Sequence, residues 1–144
     1  MPSVTDWFFW ALLSAVFAAL TAIFAKLGLE EIDSDLATLI RTVIIILVLS
    51  SFVVLAGKWK NPFELSPRTW LFLTLSGLAT GASWVCYFRA LKLGEVSRVA
   101  PVDKFSLVLV ALFAVLFLGD RPSALQWLGI SMVGLGVLVL AIAR

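Results

Sequence analysis

The sequence predicts an all-α integral membrane protein, five transmembrane helices forming one repeat of a membrane fold. Three observations predict it. First, 62% of the 144 residues are hydrophobic and only 14% are charged, against about 25% charged in a soluble domain. Second, mean hydropathy is +1.08, more apolar surface than a soluble fold of this size could hide. Third, the apolar residues fall in five runs, each close to the roughly 20 residues that cross a ~30 Å hydrocarbon core. Lipid offers no partner for open N–H and C=O groups, so each run must be helical.

The first run, Trp7 to Gly28, carries Lys26 near its end. Met1 to Asp6 makes a poor signal-peptide start, because Asp6 opposes the terminal amine and the apolar run is longer than a typical h-region. This run is therefore expected to be a membrane helix of the mature protein. The second run, Leu36 to Gly57, has Arg41 near its start, and Ser34 or Asp35 is expected to cap it. Lys58 to Pro67 is the longest connection. Its Ser66-Pro67 reads as an N-cap followed by proline at the first helical position. The third run, Trp70 to Leu91, has Arg89 near its end. The fourth, Val99 to Leu118, has Asp103 and Lys104 near its start. The fifth, Ala124 to Ala143, has no charge. Gly119-Asp120-Arg121-Pro122 is a tight connection that sets the fourth and fifth helices antiparallel and adjacent. No linker divides the chain, so residues 1–144 are expected to form a single transmembrane domain.

Composition also excludes function classes. A net charge of +2 with no basic block argues against nucleic acid. There is no histidine and a single cysteine, Cys86, so neither an internal disulfide nor a metal site is expected, and no cofactor is implied. No nucleophile stands with a matching base, and no phosphate loop is present, so the chain is not expected to be an enzyme. The expected partners are the lipid bilayer, a small-molecule substrate and a second copy of the chain.

The second copy follows from topology. Five spans put the termini on opposite sides. Lys58, Lys60, Arg68 and Arg121 fall on the amino-terminal side; Lys92, Arg98 and Arg144 fall on the other, joined by the span-edge cations Lys26, Arg41, Arg89 and Lys104. The positive-inside rule needs an imbalance that this distribution does not give. Two readings stand: dual insertion into an antiparallel homodimer, or a fixed topology.

Polar and small residues within the spans mark candidate sites. In the first span Ala11, Ser14, Ala15, Ala18, Ala22 and Ala25 share one face, which either packs closely or borders a cavity. In the third, Gly77 and Gly81 form a GxxxG pattern that Trp84 and Phe88 continue, with Tyr87 beside them as a possible pocket wall. Lys26, Arg41, Arg89, Asp103 and Lys104 all fall toward the same ends of their spans. They could hold an anionic group of a substrate, with the aromatics against its apolar part. Alternatively they snorkel to the headgroups, with Asp103 paired to Arg41 or Arg89. Asp103 is the one carboxylate expected well within a span, and so the candidate for proton coupling. Gly129 and Gly136 lie seven apart on one face of the fifth helix, as close packing would need.

Arg89-Ala-Leu-Lys-Leu-Gly94, Val99-Ala-Pro-Val102, Leu116-Phe-Leu-Gly-Asp-Arg-Pro122 and Gln126-Trp-Leu-Gly-Ile-Ser-Met-Val-Gly-Leu-Gly136, with Phe24-Ala-Lys-Leu-Gly28, resemble the signature of the EamA domain of the drug/metabolite transporter superfamily. The resemblance covers nearly the whole chain. It implies transport of small organic solutes by alternating access in a bacterial or archaeal cell (inner) membrane. Familiar members carry two five-helix domains as inverted repeats, and this chain resembles one. Two oppositely inserted copies would rebuild the pair, with the first, third and fourth helices lining a cavity and the fifth joining the halves. Related small multidrug transporters use a carboxylate in their first helix, which is absent here. A flippase for a lipid-linked anion and a non-transporting subunit remain as alternatives.

Overall fold

The computed structural model describes residues 4–143. Expectations about Met1 to Ser3 and the tail cation Arg144 lie outside the described residues. Five helical segments are long and apolar enough to cross a membrane: Trp7–Gly28, Ser34–Leu55, Pro67–Leu93, Val96–Leu118 and Ala124–Ile142. The chain is an all-α membrane protein. Only a small minority of the residues in each span is buried by the rest of the chain. Lipid, or a partner, must supply the rest of the apolar environment.

The helices are α1 (Val4–Gly28), α2 (Ser34–Leu55), α3 (Pro67–Leu93), α4 (Val96–Asp103), α5 (Ser106–Phe113) and α6 (Ala124–Ile142). Contacts group them into two compact units. One comprises Phe24–Leu93 and the other residues 4–23 with 94–143.

In the Phe24–Leu93 unit, α2 packs on α3. The cap of α2 is Asp33, one residue before Ser34 and two before Asp35, the two residues expected there. Its Oδ1 accepts from the N–H groups of Asp35 (2.8 Å) and Leu36 (3.2 Å). Asp33 has the extended backbone that an N-cap needs, whereas Ser34 is already helical. At the other end Gly57 adopts φ 62° and the Lys58 N–H closes onto Val53 O at 3.0 Å, a Schellman termination. Asn61 caps the short 3₁₀ turn Pro62–Glu64. Ser66 caps α3 through Thr69 N–H, with Pro67 at the first helical position. Trp70 Nε1 donates to Pro62 O at 3.0 Å and ties the connection to the helix it precedes. Several hydroxyls in this unit bond back to their own helices: Thr38 donates to Ser34 O, Thr42 to Thr38 O and Thr80 to Ser76 O.

In the other unit, α4 and α5 both pack on α6. The fourth span is interrupted. Pro101 sits inside α4 and donates no N–H. Just beyond it, Lys104, Phe105, Leu107 and Val108 donate to carbonyls three residues back, so the chain tightens between α4 and α5. A π-turn, Ala114–Leu118, then ends at Gly119 with φ 73°. Ser123 and Gln126 form a capping box at the start of α6. Gly134 of α6 is buried, and a Cβ added there would meet Val108 Cγ2 at 3.1 Å. Here α6 and α5 approach closely. Gly77, Gly81, Gly129 and Gly136 have no such neighbour within 4 Å among the described residues.

Candidate substrate-binding site

The polar end of the Phe24–Leu93 unit gathers the end of α1, the start of α2 and the end of α3. Each brings charge, because helix ends carry the groups that a span's interior cannot. The last four carbonyls of a helix have no intrahelical partner. Lys26, in the last turn of α1, donates to Leu91 O near the end of α3 at 2.7 Å. Lys92, in the last turn of α3, donates to Leu29 O just beyond α1, and also to Glu30 O (3.2 Å) and Ile32 O (3.1 Å). The two lysines thus clasp the ends of each other's helices, where the helix dipole favours a cation. Leu29 and Leu91, whose carbonyls they hold, are fully buried. The recess between Lys26, Leu29, Glu30 and Lys92 is only about 180 Å³.

Arg89 is exposed and takes a carboxylate. Its Nε donates to Asp35 Oδ1 at 2.9 Å and its Nη2 to Asp35 Oδ2 at 2.5 Å, a two-bonded fork. Asp35 is a partner of Arg89 that the sequence offered only as a possible helix cap. It lies in the first turn of α2. The signal was present: a span-edge arginine needs an acceptor, and a carboxylate is favoured at a helix N-terminus. Within its own unit, Arg89 has Asp35 as its carboxylate. Asp103 pairs with its neighbour Lys104 at 3.3 Å in the other unit.

Arg41 is different. It is half-buried in α2, seven residues from Ser34, which is about 10 Å along the helix. Its Cζ stands 4.3 Å from the ring centroid of Trp84 and 5.3 Å from that of Phe88. These two residues of α3 are four apart and share a face. Phe88 is buried, and it meets Tyr87 edge-on at 6.4 Å. Among the described residues, the Arg41 guanidinium has these aromatic contacts and no hydrogen bond or ion pair. Of the sequence-picked residues, then, Arg41, Trp84, Tyr87 and Phe88 come together, and Lys26 and Arg89 are engaged by the chain itself.

A second concavity lies in the other unit, an open groove of about 690 Å³. Leu107, Val110, Ala114, Gly129 and Ile130 line it, with Asp120 and Arg121 also in its wall. Gln126, a further lining group, is already used in the capping box.

A family model for EamA-like transporters matches residues 5–142. The chain belongs to the EamA-like transporter family. A Sinorhizobium protein, described as an uncharacterized transporter in the cobO 3′ region, is 60% identical over 137 residues, 95% of this chain and 97% of that one. The uncharacterized transporter YxxF of Bacillus subtilis is 24% identical over 136 residues, 94% of this chain but 42% of that one. A probable 4-amino-4-deoxy-L-arabinose-phosphoundecaprenol flippase subunit, ArnE, of Yersinia pestis is 30% identical over 90 residues, 60% of this chain and 76% of that one. No solved structure matches the chain. With its five apolar helical spans and bacterial relatives, this EamA protein is an integral membrane protein of the inner membrane.

Proposed function

We propose that this EamA protein carries small organic solutes, anionic or amphipathic, across the membrane by alternating access, as an antiparallel homodimer and without enzymatic chemistry. The observation that carries the reading is Arg41, a cation inside a membrane span, set against Trp84 and Phe88 with no hydrogen bond or ion pair among the described residues. An ionisable residue costs roughly 2.5–3.5 kcal/mol at the centre of a span on insertion scales and less toward its ends, and a cation held within a span marks a substrate pathway. The dimer reading is supported by length. The Sinorhizobium relative is one such unit long, whereas the segment matched in the Bacillus relative is less than half of that protein. The open faces at Gly77 and Gly81 of α3 and at Gly129 and Gly136 of α6 would then meet the second copy.

The test is the orientation of the ends. Single cysteines near each terminus, in a Cys86→Ser background, are labelled in native membranes with an impermeant thiol reagent. Labelling of each end from both sides supports the antiparallel pair. Labelling from one side only removes it. Asp103 is the proposed proton-coupling carboxylate. Asp103→Asn should abolish uptake driven by a pH gradient in proteoliposomes, and unchanged uptake would take it out of the mechanism.

The likeness to ArnE favours a second reading, in which the chain is one subunit of a flippase for a lipid-linked anion. That reading expects the purified chain to form no defined dimer alone, and expects its activity to follow lipid composition.

A further inference from the structure

We infer that the solute is a monoanion, a single carboxylate or phosphodiester group on an apolar body, and that Arg41 alone holds the charge. The inference deepens the transport reading and rests on it. It comes from a census of the cations in the Phe24–Leu93 unit. Lys92 is occupied by three backbone carbonyls, Lys26 is bonded to Leu91 O, and Arg89 is filled by both oxygens of Asp35. Lys58, Lys60 and Arg68 belong to the opposite ends of α2 and α3. From Arg41 to Leu55 is fourteen residues, about 21 Å of helix. Among the described residues of this unit, the Arg41 guanidinium is left at this end without a hydrogen bond or ion pair.

The consequences are those of charge matching where water is scarce. A neutral solute would leave the fork without an acceptor, and a site built to hydrogen-bond rejects the analogue that cannot. A dianion would bring a second charged group, and the other cations at this end of the unit have their donors turned to backbone carbonyls or to Asp35, so it would be buried without hydrogen bonds, which is costly. An antiparallel second copy does not relieve this. Its Arg41 would enter from the other membrane face, about 13 Å away along the normal, for two 33 Å helices each entered by about 10 Å. A small dianion does not span that gap. Trp84 and Phe88 offer the apolar body a wall beside the charge.

The experiment uses the full chain in phosphatidylcholine nanodiscs and follows ¹⁹F NMR titrations of 4-fluorobenzoate, 4-fluorobenzamide and 4-fluorophthalate. The expected result is that wild type binds the benzoate at least ~10-fold more tightly than either of the others, the worth of a charged hydrogen-bonded pair. Arg41→Gln should erase that preference and Arg89→Gln should keep it. Arg41→Lys should retain part of it, because lysine keeps the charge and loses the planar fork. No saturable benzoate binding by wild type, no preference, or tighter phthalate binding would each overturn the inference. So would an Arg41→Gln protein that binds like wild type. The wild-type comparison needs no variant to fold. Replacing part of the phosphatidylcholine with phosphatidylglycerol identifies the source of the anion. Displacement of benzoate supports a lipid headgroup at the Arg41 site, and undisturbed binding supports a water-soluble acid there. Counterflow of labelled benzoate in proteoliposomes separates the two levels. Selective binding without counterflow keeps the monoanion site and removes transport. Counterflow of all three probes without preference keeps transport and removes the site.

Discussion

Arg41 and Arg89 belong to α2 and α3, two helices that pack on each other in one unit, and they end in opposite states. Arg89 is exposed in the last turns of α3 and shares both ends of its fork with Asp35. Arg41 is half-buried, further into its span, and faces aromatic rings in place of oxygens. The same residue type thus meets the bilayer in two ways. At the rim, a guanidinium finds a carboxylate and water close by, and the pair adds little because solvent screens it. Deeper in, no carboxylate is supplied, and two ring faces orient the cation while leaving donors for something else. The lysines side with Arg89, since Lys26 and Lys92 are both taken up by helix-end carbonyls. What the contrast teaches is that the number of cations near a span end overstates the number whose donors are open to a ligand.

The comparison can be broken at several points. The largest effect is expected at Arg41. Arg41→Gln should reduce uptake of a preferred carboxylate at subsaturating concentration by ~10-fold or more, read in proteoliposomes, because a charged hydrogen-bonded pair is lost. If Arg89→Gln did this and Arg41→Gln did not, the assignment of the two arginines would be reversed.

Next is the clasp. Lys92→Met removes the donor that holds Leu29, Glu30 and Ile32 carbonyls, and should cost about 1–2 kcal/mol of stability, seen as a lower Tm in detergent with solute affinity retained. A large loss of affinity at unchanged Tm would move Lys92 into the binding site.

Glycines give the third contrast. Gly134→Leu should destabilise the isolated chain, because a Cβ there already meets Val108 at 3.1 Å. Gly129→Leu has open space within the chain, and should instead reduce the dimer fraction captured by cross-linking in membranes. The smallest effect is expected from Asp35→Asn. The pair with Arg89 is solvent-exposed, so the Tm should barely move and carboxylate affinity should change by less than about twofold.

Much of the fold is legible in the chain alone. A span in lipid has one solution, a helix of about 20 residues, so runs such as Ala124 to Ala143 announce themselves. Ser66-Pro67 is equally readable, since a cap followed by proline has a local cause. The interruption after Pro101 had a visible signal in the proline itself. The site was legible only in part. Arg41, Trp84 and Phe88 could be picked as residue types out of place in a membrane, or as one stripe of a helix. Their meeting could not be read, because it depends on the rotation of α2 against α3.

The sequence by itself determined that this protein is helical, membrane-embedded and provided with cations near the ends of its spans, because hydropathy and helical rise act locally. Only the tertiary structure decided which of those cations are spoken for. The bonds that settle it join residues 54 to 65 positions apart, Arg89 to Asp35, Lys92 to the end of α1 and Lys26 to the end of α3. Their partners are set by how helix ends come to lie beside one another, which no local pattern specifies.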